Sequence, residues 1–173
     1  QNATATKSSP GIRIYSPAGE LKKTLPLEIK PTAICVAKDG SIFVAGDGKL
    51  LKLDTEGKVM ASAASPVANE AVVISKEVEN MVSDMSKQTK KPVKDELARM
   101  KTSLEKRRAD VTGVTVTDQD VFMVVPAPND FTFRIYRFDH ALQNPKLVVE
   151  KLRGCCGQMD VQSHDGQLLI PHN

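Results

Sequence analysis

A strand–turn–strand unit recurs along this chain, and that recurrence restricts the fold more than any other feature. In Pro31-Thr32-Ala33-Ile34-Cys35-Val36-Ala37-Lys38-Asp39-Gly40-Ser41-Ile42-Phe43-Val44-Ala45 an apolar run leads into an Asp-Gly turn and a second apolar run follows. Asp-Gly between β-rich segments predicts a hairpin, because such turns need positive φ. Lys49–Asp54 reads as a third strand, Thr55-Glu56-Gly57 as a turn, and Lys58–Ala61 as a weaker fourth strand. The same order returns at Gly113–Thr117, Val121–Val125, Phe133–Asp139 and Lys146–Glu150. A third unit begins at Gly157–Ser163, turns at His164-Asp165-Gly166 and continues as Gln167–Ile170. At the other end, Gly11–Ser16 and the segment from Pro17 to Leu21 read as the second half of a preceding unit.

Spacing exposes an insertion. The equivalent turn aspartates Asp118 and Asp165 are 47 residues apart, whereas Asp39 and Asp118 are 79 apart. One four-stranded propeller blade takes about 40 to 50 residues, so the longer interval holds a surplus of about 32. The surplus lies where apolar periodicity changes from two to 3.6. Ile74, Val78, Met81, Val82 and Met85 share one helical face, and Val93, Leu97, Met100 and Leu104 form a second stripe. The polar connection from Lys87 to Pro92, with Pro at the second helix's start, predicts an antiparallel helical hairpin over residues 69–108. The expected organisation is a polar tail over 1–10, sheets over 11–68, the hairpin over 69–108, and sheets over 109–173.

Charge follows this division. The chain of 173 residues carries 24 Lys and Arg against 21 Asp and Glu. Between Lys76 and Arg108 the net charge is +4, and the remainder is −1. The hairpin tip (Lys87, Lys90, Lys91, Lys94) and Lys106-Arg107-Arg108 are therefore the candidate contacts for an acidic partner or an anionic surface. Mixed signs elsewhere argue against nucleic acid as a partner. No apolar run reaches the roughly 18 residues of a spanning helix, so no membrane span is expected. Gln1 rather than Met fits a cleaved leader, proteolysis or a start within a longer chain, and the expectation adopted is a periplasmic or secreted protein.

Chemistry-bearing residues gather near the end of the sequence. Cys155, Cys156, Met159 and His172 offer thiolate, thioether and imidazole, the ligand types of copper or zinc, although their spacing matches no standard zinc motif. A thiol nucleophile, Cys155 or Cys156 with His172, is the alternative use of the same residues, with Asp160 as the nearest acid. Three cysteines, two of them adjacent, argue against a disulfide framework. Cys35, inside an apolar run, reads as a buried small hydrophobe. Asp39, Asp54 and Asp139 open turns, where Asp is favoured for bonding to backbone amides. Gly46-Asp47-Gly48 lacks the Lys and following helix of a phosphate loop.

At Pro31–Ala45, Lys49–Asp54 and Gly57 the chain resembles the NHL-type β-propeller family. Gly154-Cys155-Cys156-Gly157-Gln158-Met159-Asp160-Val161 is similar to a Cys-Cys variant of a first blade strand in some bacterial members. The resemblance covers about 125 residues and skips the insertion. It implies propeller blades, three blades' worth of a six-bladed ring, in a family that includes lyases, lactonase-like hydrolases and binding modules. Ala45-Gly46-Asp47-Gly48 is shorter than the family's common loop, a departure that argues against loop-borne function at this blade. Closed propellers need four or more blades. The missing ones are expected from the same longer protein or from a second chain. The expected function is a non-catalytic binding or scaffold module for protein assembly, with the hairpin as its contact. The alternatives are a metal- or thiol-dependent enzyme near Cys155, Cys156 and His172, and a structural component of a larger complex.

Overall fold

The computed structural model describes residues 9–154 and 158–171. Among these residues, twelve strands and two helices follow the order read from the repeat. They are β1 (Gly11–Tyr15), β2 (Leu21–Pro26), β3 (Ala33–Val36), β4 (Ile42–Gly46), β5 (Lys49–Leu53), β6 (Val59–Ala64), α1 (Lys76–Thr89), α2 (Val93–Arg107), β7 (Gly113–Val116), β8 (Asp120–Pro126), β9 (Phe133–Asp139), β10 (Lys146–Leu152), β11 (Gln162–His164) and β12 (Gln167–Leu169). The protein is mainly β, with several antiparallel sheets, and among the described residues no closed barrel is seen. Strands β3 to β6 form one four-stranded meander and β7 to β10 another, while β1–β2 and β11–β12 form two-stranded sheets.

Turn chemistry sets the hairpins. Asp165 and Gly166 both have positive φ (48° and 74°), the two-residue turn that suits the strand twist. Asp47 and Gly48 repeat it between β4 and β5, with φ of 47° and 70°. At Gly46 a Cβ would overlap the carbonyl oxygen of Lys30, so only glycine fits where β4 passes this segment. The β6 strand extends to Ala64, three residues beyond the weak strand read from sequence, because its backbone pairs with β5 as far as Lys49.

The sheets stack face to face, and period-two alternation sends successive residues into different layers. Phe43, Ala45 and Leu50 meet Val121, Met123, Tyr136 and Phe138 between the two four-stranded sheets. Ile42, Val44, Leu51 and Leu53 point the other way, onto Leu25 of β2 and Ile12 of β1. Phe122, Val124, Phe133 and Ile135 leave the far side of the second meander and pack on Met159, Val161, Leu168 and Ile170. The first strands adjoin. Thr32 Oγ1 donates to the Val111 carbonyl at 2.6 Å, and Thr115 Oγ1 donates to Ser163 Oγ at 3.0 Å. Cys35 points toward the central core but is only partly buried, because β3 is an edge strand.

Residues 76–107 hold the two helices. Ser75 Oγ accepts from the Val78 amide to cap α1, Lys90 ends it in the left-handed region, and Pro92 precedes α2. Val78, Val82 and Ser86 are the buried line of α1, with Leu104 buried on α2. The sequence stripe on α1 proves too broad, since Met81 and Met85 remain exposed. A residue three positions on lies about 60° around the helix, beyond the line that α2 covers. Among the described residues no helix is long and apolar enough to cross a membrane.

Phe43 is fully buried between the two four-stranded sheets. Phe43→Ala is expected to destabilise the fold by about 3–5 kcal/mol, read from the midpoint of urea unfolding.

Candidate functional site

Two regions collect polar side chains from separate elements. The first is the base of the helical hairpin. The polypeptide from Ser65 to Ser75 leads from β6 to α1, and Glu70 on it is held twice. Arg108, just after α2, donates from Nη1 to the Glu70 carbonyl at 2.6 Å. Arg134 on β9 bonds both Glu70 carboxylate oxygens, at 2.9 and 3.1 Å. Such charge-assisted pairing is strong when partly buried. The β8–β9 loop adds Asn129, whose Oδ1 accepts from the Val73 amide at 3.0 Å. Arg107 lies 5.6 Å from the centre of the Phe131 ring and 5.7 Å from that of Phe133. Burial lowers the Arg107 pKa from its ordinary value and raises that of Asp110. The segment leading into the hairpin is thus fastened to β9 and the β8–β9 loop, and the hairpin's far end is tied back to that segment by Arg108 and lies over Phe131 and Phe133 through Arg107.

Its tip is different. Lys87, Lys90, Lys91 and Lys94 are all exposed. Lys87 pairs with Asp84 at 2.9 Å and Lys91 with Glu96 at 3.7 Å, both within the hairpin, so part of the tip's charge is neutralised. Exposed ion pairs of this kind contribute little to stability. Met81, Met85 and Val93 add exposed apolar surface on the same hairpin.

The second region is the opposite end of the first strands. The turns β3–β4, β7–β8 and β11–β12 converge there on a cavity of about 900 Å³. Its lining includes Lys38, Asp39, Asp118, Asp120, His140, His164 and Asp165. Lys38 Nζ reaches across to Asp118 at 2.8 Å, and the carboxylate raises the lysine's pKa, mainly through the hydrogen bond. Asp39 accepts from the Ser41 amide at 2.8 Å and from its hydroxyl at 3.0 Å, and those bonds lower its pKa. Asp120 faces Arg137 at 3.7 Å, and Asp165 faces His164 at 3.3 Å. His140 Nε2 lies 3.0 Å from the Thr117 carbonyl, with its ring edge-on to Phe43. Asp39 and Asp165 are thus engaged within their own turns, Asp118 by the lysine of the neighbouring turn, and Asp120 by Arg137 on β9. Lys38 and Asp118 tie two of the three turns together, and all three present charge and hydrogen-bonding groups to the opening.

The sequence-derived candidates divide accordingly. Cys155, Cys156 and His172 lie outside the described residues. Met159 is 2% exposed and packs against Phe122, Val124, Phe133 and Ile135 in an apolar layer. Among the described residues no group of three or more His, Cys, Asp or Glu is placed to hold a metal ion. Asp39, Asp54 and Asp139 play the expected turn roles: Asp54 accepts from the Glu56 and Lys58 amides, and Asp139 from the Ala141 and Gln143 amides. Sequence reasoning passed over Lys38, Asp118, His140 and Asp165 as a shared opening. The signal was present in the repeat itself, since equivalent turns in stacked sheets must emerge at one end.

No family model matches the chain. No curated protein matches it either.

Two outcomes follow from this geometry. Glu70→Ala removes the acceptor of Arg134 and is expected to cost about 1–2 kcal/mol. Hydrogen exchange should then quicken across 76–107 more than across β3 to β5; uniform behaviour would contradict the clamp. Hydrogen bonds to the backbone depress the Asp139 pKa. Its contribution is therefore present above the unfolded carboxylate value, about pH 4, and is lost as pH falls through the folded value. Asp139→Ala should lower the thermal midpoint at pH 7 and converge with the parent protein in acid.

Proposed function

We propose that this chain is a non-catalytic β-propeller binding or scaffold module, with the helical hairpin as its contact for a protein partner. The NHL-type likeness of Pro31–Ala45 and the order of strands support the propeller reading. Two four-stranded meanders stacked face to face, flanked by two-stranded halves and with first strands adjoining, are the arrangement that consecutive blades adopt. In that reading the opening lined by Lys38, Asp118 and Asp165 is one end of the central channel.

The observation that carries the binding role is the contrast within the hairpin. Its base is anchored through Glu70, Arg108, Arg134 and Asn129, while its tip exposes Lys90 and Lys94 and the outer length of α1 exposes Met81 and Met85. Anchoring keeps the surface in one orientation and so lowers the entropy lost on binding. Methionine side chains adapt to differing partner shapes, and the lysines at the tip favour an acidic amphipathic segment. An exported, periplasmic or secreted location accompanies this reading.

Replacing Ser75 to Arg108 with a short flexible linker tests it. The β circular dichroism signal should survive, and a partner captured by the whole chain should be lost. Retention of that partner by the shortened chain would end the proposal for the hairpin.

A further inference from the structure

The hairpin's cations fall into two groups, those already committed and those left to act outward. Of the run Lys106-Arg107-Arg108, Arg107 lies over the Phe131 and Phe133 rings and Arg108 donates to the Glu70 carbonyl. Those two hold the base. The tip is richer: residues 85–94 include four lysines and no carboxylate. Yet Lys87 is paired with Asp84 at 2.9 Å and Lys91 with Glu96 at 3.7 Å, and Glu96 also takes Arg99 at 3.2 Å. Each of those pairs must open before its cation can serve a partner, which costs about two- to fivefold in affinity. Among the described residues, Lys90 and Lys94 are paired with no carboxylate, and both are exposed.

Apolar surface lies within the same ten residues, since Met85 and Val93 are 46% and 40% exposed. Lys90 ends α1 in the left-handed region, with φ of 56°, so it belongs to the turn between the helices and not to a helix face. An anionic bilayer fits this tip poorly. Stable surface binding takes a polybasic patch together with an inserted apolar or aromatic signal. From Lys76 to Arg108 there is no Phe, Tyr or Trp, and exposed Asp84 would be carried toward headgroups of its own sign. A protein segment can set its carboxylates at two points and keep clear of Asp84.

We infer that the hairpin's partner is an acidic protein segment whose carboxylates are read by Lys90 and Lys94, while Asp84 and Glu96 hold Lys87, Lys91 and Arg99 out of the contact. This deepens the binding role proposed above and rests on it. Met85 and Val93 receive the segment's apolar residues. Asp84 and Glu96 then act as specificity residues: they limit the free charge of the tip and disfavour partners that offer negative charge without shape.

The probe is a synthetic peptide of about sixteen residues with Leu and Glu in helical period, compared with the same peptide carrying Gln for Glu. The whole chain should bind the Glu peptide about tenfold more tightly than the Gln peptide. Binding should weaken as salt rises through about 0.15 M, where the screening length is about 8 Å. Lys90→Gln combined with Lys94→Gln should weaken it by about tenfold. Removing a committed pair as a unit, Asp84→Asn with Lys87→Gln, should change it by less than about twofold. Asp84→Asn alone releases Lys87 and should strengthen binding by about two- to fivefold. All these side chains are exposed, so circular dichroism should match the parent chain. Absence of binding, indifference to the Lys90 and Lys94 substitutions, or no gain from Asp84→Asn overturns the inference. So does tighter binding to phosphatidylglycerol vesicles than to the peptide, which would put a lipid surface at the tip. A captured partner that is lost with the hairpin but indifferent to Lys90 and Lys94 would sink this inference alone. A partner retained without the hairpin would remove the binding role itself.

Discussion

The layer between the two four-stranded sheets is the contact on which the remainder of the molecule depends. Phe43, Leu50, Met123, Tyr136 and Phe138 come from strands almost a hundred residues apart at the extremes, and they share one core. At about 25 cal/mol per Å² of apolar surface, a layer with three large aromatic rings outweighs every surface ion pair described above. It also fixes the direction of everything else. Once Phe43 faces this layer, alternation sends Ile42 and Val44 to the first half sheet. Once Met123 faces it, Phe122 and Val124 go to the last. One packing decision thereby orders four sheets in series.

That serial arrangement explains why the long insertion is tolerated. It enters between β6 and β7, where the chain passes from one complete sheet to the next, and not inside a meander. Pairing within each sheet is therefore undisturbed. The hairpin returns the chain to within reach of its departure point, so Arg108 meets the Glu70 carbonyl and the connection closes locally. Loop-closure entropy rises slowly with length, and a pre-closed hairpin reduces it further. A long segment can then be carried as an appendage whose outer surface is free of any duty to the core.

Much of this was written in the alternation of residues. The strand order, the Asp-Gly turn at Asp165, the helical segment and the turn roles of Asp39, Asp54 and Asp139 all depend on neighbours within a few positions, and local pattern specifies them. Met81 and Met85 were harder to place, because periodicity gives a helix face but not the width that a neighbouring helix covers. Cys35 was harder for a similar reason: an apolar run does not reveal that its strand lies at an edge. The clamp of Arg134 on Glu70 joins residues 64 positions apart, and nothing around either one marks it as a partner.

The amino-acid order by itself determined a mainly β chain of repeated units with a helical insertion, because hydrogen-bonded turns and two-residue alternation are short-range properties. Only the tertiary structure decided which faces meet, and that Lys38, Asp118, His140 and Asp165 border one opening. Those outcomes depend on packing between residues far apart in sequence, where geometry is set by the collective filling of the layers rather than by any local preference.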